Sequence, residues 1–570
     1  MVNRFSAALL FRLLLAVALV ALTAFWLFGA RWKIGYDNWF ITPNPTAWPA
    51  LAWLQPIGAL AIFGGLAAFS AYDRFRRAKT PQEQRTSTGL SLVALCLLAV
   101  TWSWSLMGPT AGGATGASNL ITSTWSDVAN GYFSAAYEVR DVRAFSREYA
   151  ARHQEFEVTS QAHVATHPPG AVLFYYGARR IVEASPFLQN TFSALARSLT
   201  HEEIATIAFQ SRSVVKLATG KTSTLPDSAV AAAMWCAFLI SLVLAATVPA
   251  VYGMAAAGGG NAAEARGLWA AAFFVLAPTS GLFSFTLDVV IACGTAWTLF
   301  FVARYLCSGS LFPLLAAGVT LALTSFVSFG ALAVWGIVGL ALLLHSRAWF
   351  AHRLRRDHHT IHNTTGNPFT SIGTVLAGFV GGWVLLLILF PTNILLVFSQ
   401  AMEAHRIATF TRSPWMWSLL NLPFFLTFMG WPLVAILTAI RKKPLDLAFI
   451  MGCATLATTI LLTVSGNVRG EVERLWLFLL PALCALGGSI LADGAPARST
   501  LTPEALSTET LSTEAASEDI ALTEPPQIPV KSARLPQRIP LHILFAALLL
   551  ALQALQTLIM AAGLSPLVRL

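Results

Sequence analysis

Charge is scarce in this chain. Asp, Glu, Lys and Arg make up 11% of its 570 residues, where a soluble globular protein carries roughly 25%. So small a charged fraction cannot cover a water-facing surface of this size, and it excludes a soluble fold. Fifty-six per cent of the residues are hydrophobic and the mean hydropathy is +0.64. Cysteine is scarce too. Cys96, Cys236, Cys293, Cys307, Cys453 and Cys484 fall within or at the ends of apolar runs without ligand-like spacing. That excludes a disulfide framework and a zinc site, and leaves small core residues. The net charge of +10 does not by itself imply nucleic acid, because in a polytopic chain the side of the bilayer holding Lys and Arg decides its meaning.

Long apolar sequence is abundant. Runs near 7–29, 51–71, 89–107, 229–251, 268–286, 289–306, 312–328, 329–346, 371–391, 415–440, 445–463, 475–493 and 541–562 are long enough, or nearly so, to cross hydrocarbon. The expected fold is an all-α integral membrane protein of about thirteen transmembrane helices. The first run follows Arg4 and contains Arg12 but has no clear small-residue cleavage site, so it reads as an uncleaved anchor with a cytoplasmic N-terminus.

Three connections are strongly basic: 72–88 (Arg74, Arg76, Arg77, Lys79, Arg85), 345–368 (Arg347, Arg353, Arg355, Arg356) and 441–444 (Arg441, Lys442, Lys443). The positive-inside rule assigns all three to the cytoplasm. Counting crossings, they land there together only if the run 171–184, which contains Arg179 and Arg180, lies at the interface as an amphipathic helix. The whole of 108–228 is then an outer-face loop with juxtamembrane helices. The expected organisation is 1–88, two helices and a basic loop; 89–493, a membrane core; 494–540, a disordered Ser/Thr/Glu/Pro linker; and 541–570, a last transmembrane helix. His345, His352, His358, His359 and His362 crowd one basic loop. Without a carboxylate or Cys to complete a ligand set they read as a solvated loop against anionic headgroups.

Polar groups that the topology does not explain gather on the outer face. They are 125-WSDVANGYFSAAYEVRD-141, the charged stretch 143–157, a rigid 166-THPPG-170, Asp288, Glu403 with His405 and Arg406, and 466-GNVRGEVERLWLFLLP-481. Charges at helix mouths are costly unless they pair or work. Two prolines fix their own φ and restrict the residues before them, so Thr166–Gly170 reads as a stiff, non-helical strut.

An Asp just after a membrane helix, then Gly-Tyr-Phe, then His-Pro-Pro before another helix, resembles the first outer loop of the GT-C superfamily of membrane glycosyltransferases. It is similar to that of the protein O-mannosyltransferases and the lipid A aminoarabinose transferase. The resemblance puts Asp127 at the family's essential acidic position and His167-Pro168-Pro169 at its Lys/His-Pro-Pro, and 281-GLFSFTLDVVIACGTAWTLFF-301 looks like its Ser-x-x-x-Asp segment. It covers about residues 89–306, with an echo at 470–481. Where relatives have Asp-Glu this chain has Asp127-Val128, so a second carboxylate, if required, comes from Glu138, Asp141 or elsewhere. Two helices precede the family's first. There is no Trp-Trp-Asp-type motif, which argues against an oligosaccharyltransferase.

The resemblance implies a polyprenyl-phosphate sugar as donor, with a lipid, glycan or protein as acceptor. A phosphate leaves without strong acid help, so one carboxylate suffices, Asp127 as general base in an inverting displacement. Arg474, with Arg469 in reserve, would hold the phosphate bidentately; His167 would hydrogen-bond phosphate or acceptor; Glu473, Asp288, Tyr132, Pro168 and Pro169 would complete the substrate site. No cofactor is assigned, although a divalent cation could assist, and membrane lipids are the other expected partner. The rival readings are a transporter or lipid flippase, with inverted repeats and broken helices, and a membrane protein with no chemistry. Short loops and the lack of a eukaryotic retention signal lean towards a bacterial inner membrane.

Overall fold

The structure is a computed structural model. It describes residues 2–564 other than 37–38, 44, 46–47, 49, 77–79, 109–115, 128, 159–161, 260–261, 355–367, 441–445 and 493–540. The expected linker and most of the histidine loop therefore lie outside the described residues, as do Arg77, Lys79 and the basic triplet at 441–443.

Among the described residues the chain is an all-helical membrane protein with one small ribbon, Ile34–Tyr36 antiparallel to Trp39–Ile41. Ten helices among the described residues are long and apolar enough to cross a bilayer, or eleven if one bent pair counts as a single span. Each lies on a run expected from hydropathy, and the differences are local. The helix expected at 89–107 starts at Pro81, because Thr80 and Glu83 form a capping box there, so Arg85 is helical. The run 312–328 forms a shorter helix, Phe312–Val327. The run 268–286 is divided where Ala277 turns extended before Pro278. The run 415–440, read as one crossing, breaks at Gly430 into Pro414–Met429 and Trp431–Leu437, bent by 105°. The Gly170–Glu183 helix is amphipathic, as expected, and is not among the candidate spans. One of its faces packs on the Ala229–Ala256 helix and on Tyr132–Glu138. Arg179, expected at the interface, is buried within this layer, over the Tyr137 ring at 4.5 Å and beside Glu183 at 3.4 Å.

Polar contacts sort the helix ends into two groups. At one end Gln400 donates to the Ala150 carbonyl (3.1 Å), His405 meets the Asn467 carbonyl (2.8 Å) and Arg474 faces Asp288 (3.7 Å). At the other, Thr88 donates to Glu264 (2.7 Å), Ser489 to Asp446 (2.7 Å) and Arg12 to Thr438 (3.4 Å), while Arg266 pairs with Asp446 (3.9 Å). The Tyr305 and Ser371 hydroxyls also meet there, 2.5 Å apart. All three basic connections attach to elements of this second end.

The last helix, Leu541–Gly563, repairs both breaks. Gln553 Nε2 donates to the Met429 carbonyl (2.9 Å) and Gln556 Nε2 to the Thr427 carbonyl (2.9 Å), while Gln556 Oε1 accepts from the Trp431 amide (2.8 Å). One turn from Gln553, Thr557 donates to the Leu276 carbonyl (2.7 Å) at the other break. All three side chains are fully buried. Bilayer interiors offer no water to backbone groups freed by a break, so neighbouring side chains must supply the bonds. Gly430 has φ 102°, and a Cβ there would lie 2.0 Å from Gln553 Nε2, so only glycine allows the bend and the approach together.

Gln553→Leu combined with Gln556→Leu should orphan three backbone groups, at about 1–3 kcal/mol each. The variant should melt well below wild type in detergent, followed by fluorescence-detected size exclusion, whereas Leu555→Ala on the exposed face should not. Equal melting of both with wild type would show that the breaks are satisfied by other means.

Candidate functional site

The His-Pro-Pro-Gly stretch is held at both ends. Pro168 and Pro169 are buried, and Pro169 (φ −61°, ψ −19°) is the N-cap of the Gly170–Glu183 helix. A Cβ on Gly170 would meet the Phe326 carbonyl oxygen at 2.1 Å, so the absence of a side chain is what lets the strut dock on the end of the Phe312–Val327 helix. On its other side the Tyr149 hydroxyl lies 3.0 Å from the Val164 carbonyl and 2.9 Å from that of His167. His153 reaches the Ala165 carbonyl at 2.9 Å. The prolines shape the strut through the backbone, and both rings are buried.

His167 projects from this strut beside Tyr132, whose hydroxyl is 2.9 Å from Nδ1. Tyr132 is 7% exposed and stacks with Tyr175, its ring centroid 6.2 Å away. Burial pushes the Tyr132 phenol well up, and the charge of Asp288 pushes the same way against Arg474. Burial pushes the His167 imidazole down to about 3, helped by the charges of His163, Arg474 and His405 and opposed by its bond to the His163 carbonyl. These couplings bring Tyr132, His167, Asp288 and Arg474 into one electrostatic neighbourhood.

Arg474 is the knot of that neighbourhood. Its guanidinium bonds Glu471 at 2.6 Å and faces Asp288 at 3.7 Å, with its side chain 18% exposed. Arg412 approaches Glu471 from the far side at 3.5 Å. Burial raises the Glu471 carboxyl, but Arg474, His163 and Arg412 more than offset this and hold it below its ordinary range. Glu471 has φ 59°, a left-handed conformation that costs a non-glycine residue roughly 1–2 kcal/mol. The paired arginines and a strapped loop impose it: Asn421 donates to the Val468 carbonyl (2.7 Å) and Arg412 to that of Arg469 (2.6 Å).

The expected residues divide. The structure brings His167, Tyr132, Asp288 and Arg474 together. Arg469 commits Nε to the carbonyl of Gly466 (2.9 Å) and Nη1 to those of Thr409 (3.0 Å) and Arg412 (3.0 Å), so it is chiefly a loop clamp, with only Nη2 outside these bonds. Glu473 is 3% exposed, with Oε2 buried and without a partner, and its carbonyl accepts from Thr279 at 2.5 Å. Asp127 is half-buried and accepts from the Ser134 hydroxyl, while Arg474 pairs elsewhere. Nor is Asp127 a helix cap, because the Tyr132–Glu138 helix has Gly131 as N-cap. Glu138 pairs with Arg152 (2.5 Å) and Asp141 caps the Val142–Glu148 helix, so neither supplies a free second carboxylate. The pairing of Glu471 with Arg474 in one loop cluster is readable from sequence, but Arg412 and His163 as its further partners are not; an Arg after a membrane-end turn carries no local mark of what it meets some sixty residues on. Among the described residues no three His, Cys, Asp or Glu side chains are grouped to hold a metal ion.

Arg474→Gln should leave Asp288 as a half-buried, uncompensated carboxylate and Glu471 with Arg412 alone, and cost about 3–5 kcal/mol. Adding Asp288→Asn should recover part of it, read as non-additive melting shifts in a double-mutant cycle. His167 gives a second test. Its pKa is lower folded than unfolded, so the unfolded chain takes up the proton first, and this stability is present above about 6.5 and lost as pH falls towards 3. Replacing His167 by Asn should flatten that portion of the melting-temperature profile, and an unchanged profile would contradict the assignment.

Comparison with known proteins adds no name to this geometry: no family profile matches the chain, and a search of curated proteins finds no similar sequence.

Proposed function

We propose that the chain is a membrane glycosyltransferase, moving a hexose or pentose from a polyprenyl-phosphate donor to a lipid, glycan or protein acceptor. The carrying observation is the convergence of His167, Tyr132, Asp288 and Arg474, from three separate stretches of chain, at one end of the helix bundle. Tyr132, His167 and Asp288 fall in segments that the GT-C resemblance marks and Arg474 in its echo at 470–481, while Asp127, the acidic position, lies in the same outer loop as Tyr132. In this reading Arg474 exchanges part of its pairing with Glu471 and Asp288 for the donor phosphate. Asp127 takes the acceptor proton as the sugar inverts; no Lys or Arg neutralises its carboxylate among the described residues, which leaves it free to act as a base.

The sorting of helix ends supports a thirteen-crossing topology. If the bent pair, the Phe312–Val327 helix and the divided segment Ala263–Leu276 with Pro278–Leu282 each cross once, the three basic connections share one face. That face is the cytoplasmic one by the positive-inside rule, which puts the N-terminus inside and the site outside, in what we take to be a bacterial inner membrane.

A second reading, a transporter or flippase for a lipid-linked saccharide, has one observation in its favour: the 105° break at Gly430, since discontinuous helices recur at transport sites.

Purified full-length protein in lipid, offered a panel of radiolabelled polyprenyl-phosphate sugars with acceptor extracts, decides between them. Wild type should release label from one donor, and Asp127→Asn should bind it yet turn it over at least about a hundredfold more slowly. Movement of an intact donor across the bilayer without bond cleavage would favour transport. Undiminished transfer by the variant would keep the enzyme and discard the base.

A further inference from the structure

His167 Nδ1 is surrounded by three oxygens: the Tyr132 hydroxyl at 2.9 Å, the Thr166 hydroxyl at 3.0 Å and the His163 carbonyl at 3.0 Å. A hydroxyl can donate or accept, but a carbonyl can only accept. Were Nδ1 bare, its lone pair would face that of the His163 oxygen. The Thr166 hydroxyl donates to that same carbonyl, and the contact of Nδ1 with it is a hydrogen bond only with the proton on Nδ1, which in a neutral ring leaves Nε2 as a bare acceptor. No described residue bonds Nε2. The ring stays neutral because it is taken from water and hemmed by the charge of Arg474 and by His163 and His405.

We propose that His167 is a specificity contact that accepts a hydrogen bond at Nε2 from a hydroxyl of the donor's sugar, and that it makes no bond to the phosphate. The inference rests on the glycosyltransferase reading but differs from the role first expected of the residue. A phosphodiester oxygen carries no proton, so an unprotonated Nε2 would meet it lone pair to lone pair. A group reached by Nε2 must bring an O–H or N–H. The sugar is the choice over the acceptor because His167 lies within the electrostatic reach of Arg474; what adjoins a phosphate held there is the sugar it carries. The Pro168-Pro169-Gly170 docking and the Tyr149 clamp fix the backbone from which the ring projects, so the position of Nε2 is set before a ligand arrives.

The two amide replacements separate the ring's two nitrogens. His167→Asn can keep a donor where Nδ1 sits and so hold the His163 carbonyl, but it has nothing at Nε2. His167→Gln reaches the Nε2 position and gives up Nδ1. Full-length protein in nanodiscs would be titrated with polyprenyl-phosphate mannose, or the sugar that the panel selects, and separately with sugar-free polyprenyl phosphate. The expected result for Asn is unchanged melting at neutral pH, glycosylated lipid bound at least about tenfold more weakly, and sugar-free lipid within twofold of wild type. Gln should regain part of the lost affinity. Equal weakening for both lipids would mean that the ring serves the phosphate, and no weakening for either would remove it from donor recognition; each overturns the proposal.

The tautomer has its own readout. In protein labelled with 15N-histidine, the resonances lost on His167→Asn should be those of a neutral ring protonated at Nδ1. An Nε2–H tautomer or an imidazolium at neutral pH overturns the proposal even if no lipid binds. An Nδ1–H ring in a protein that binds neither lipid would instead count against the glycosyltransferase reading, and with it against the sugar as the group recognised.

Discussion

A backbone polar group inside a bilayer has no water to turn to, and the architecture follows from where this chain breaks that constraint and how it makes the break good. Regular helices satisfy themselves. Among the described residues the sharpest departures are the corner at Ala277–Pro278 and the 105° bend at Gly430. Both are repaired by one helix, Leu541–Gly563, with Gln553, Gln556 and Thr557 aligned along one buried face by their i, i+3 and i+4 spacing. Two glutamines and a threonine in an apolar helix are costly in lipid unless matched, and here each donates to a carbonyl that would otherwise be orphaned. Gln556 accepts from an amide as well, while Gln553 Oε1 is left without a partner among the described residues.

The repair is transmitted to the site. Just beyond the corner that Thr557 holds, Thr279 donates to the carbonyl of Glu473, next to Arg474. The Arg474 side chain is thus fixed on one side by Glu471 and Asp288 and on the other by a backbone tied to the helix breaks. The loop that carries it is bound through Asn421, Arg412, Arg469 and His405. Such a surround is rigid, and rigidity is what allows charges at a helix mouth to be placed without each finding its own counterion.

What was legible in the sequence is what depends on neighbours along the chain. Hydropathy marks the spans because a membrane helix makes its own hydrogen bonds, and the pair of prolines marks the strut because they act on their own φ angles. The capping box at Thr80 was equally local but lay outside the apolar run, so the helix starts earlier than hydropathy suggests. The bend at Gly430 was illegible: 415-WMWSLLNLPFFLTFMGWPLVAILTAI-440 reads as one continuous apolar run. Only the approach of Gln553, over a hundred residues on, distinguishes this glycine from others. Arg469 and Arg474 look alike from sequence, five residues apart in one loop. Carbonyls enclose the first and carboxylates the second, and that difference is tertiary.

The difference between those two arginines also bears on which group can respond to an anion. Arg469 donates to three backbone carbonyls, and an anion that drew it away would open the loop and orphan all three. Arg474 is bound to two carboxylates, and Arg412 already shares one of them, so Glu471 keeps a counter-charge if Arg474 turns towards a ligand. The exchange replaces one anion by another around the same guanidinium and leaves no buried charge unpaired, which keeps its electrostatic cost low. Glu471 is the group that this exchange would release, and it is held in a left-handed conformation that an unpaired residue of its type would seldom keep.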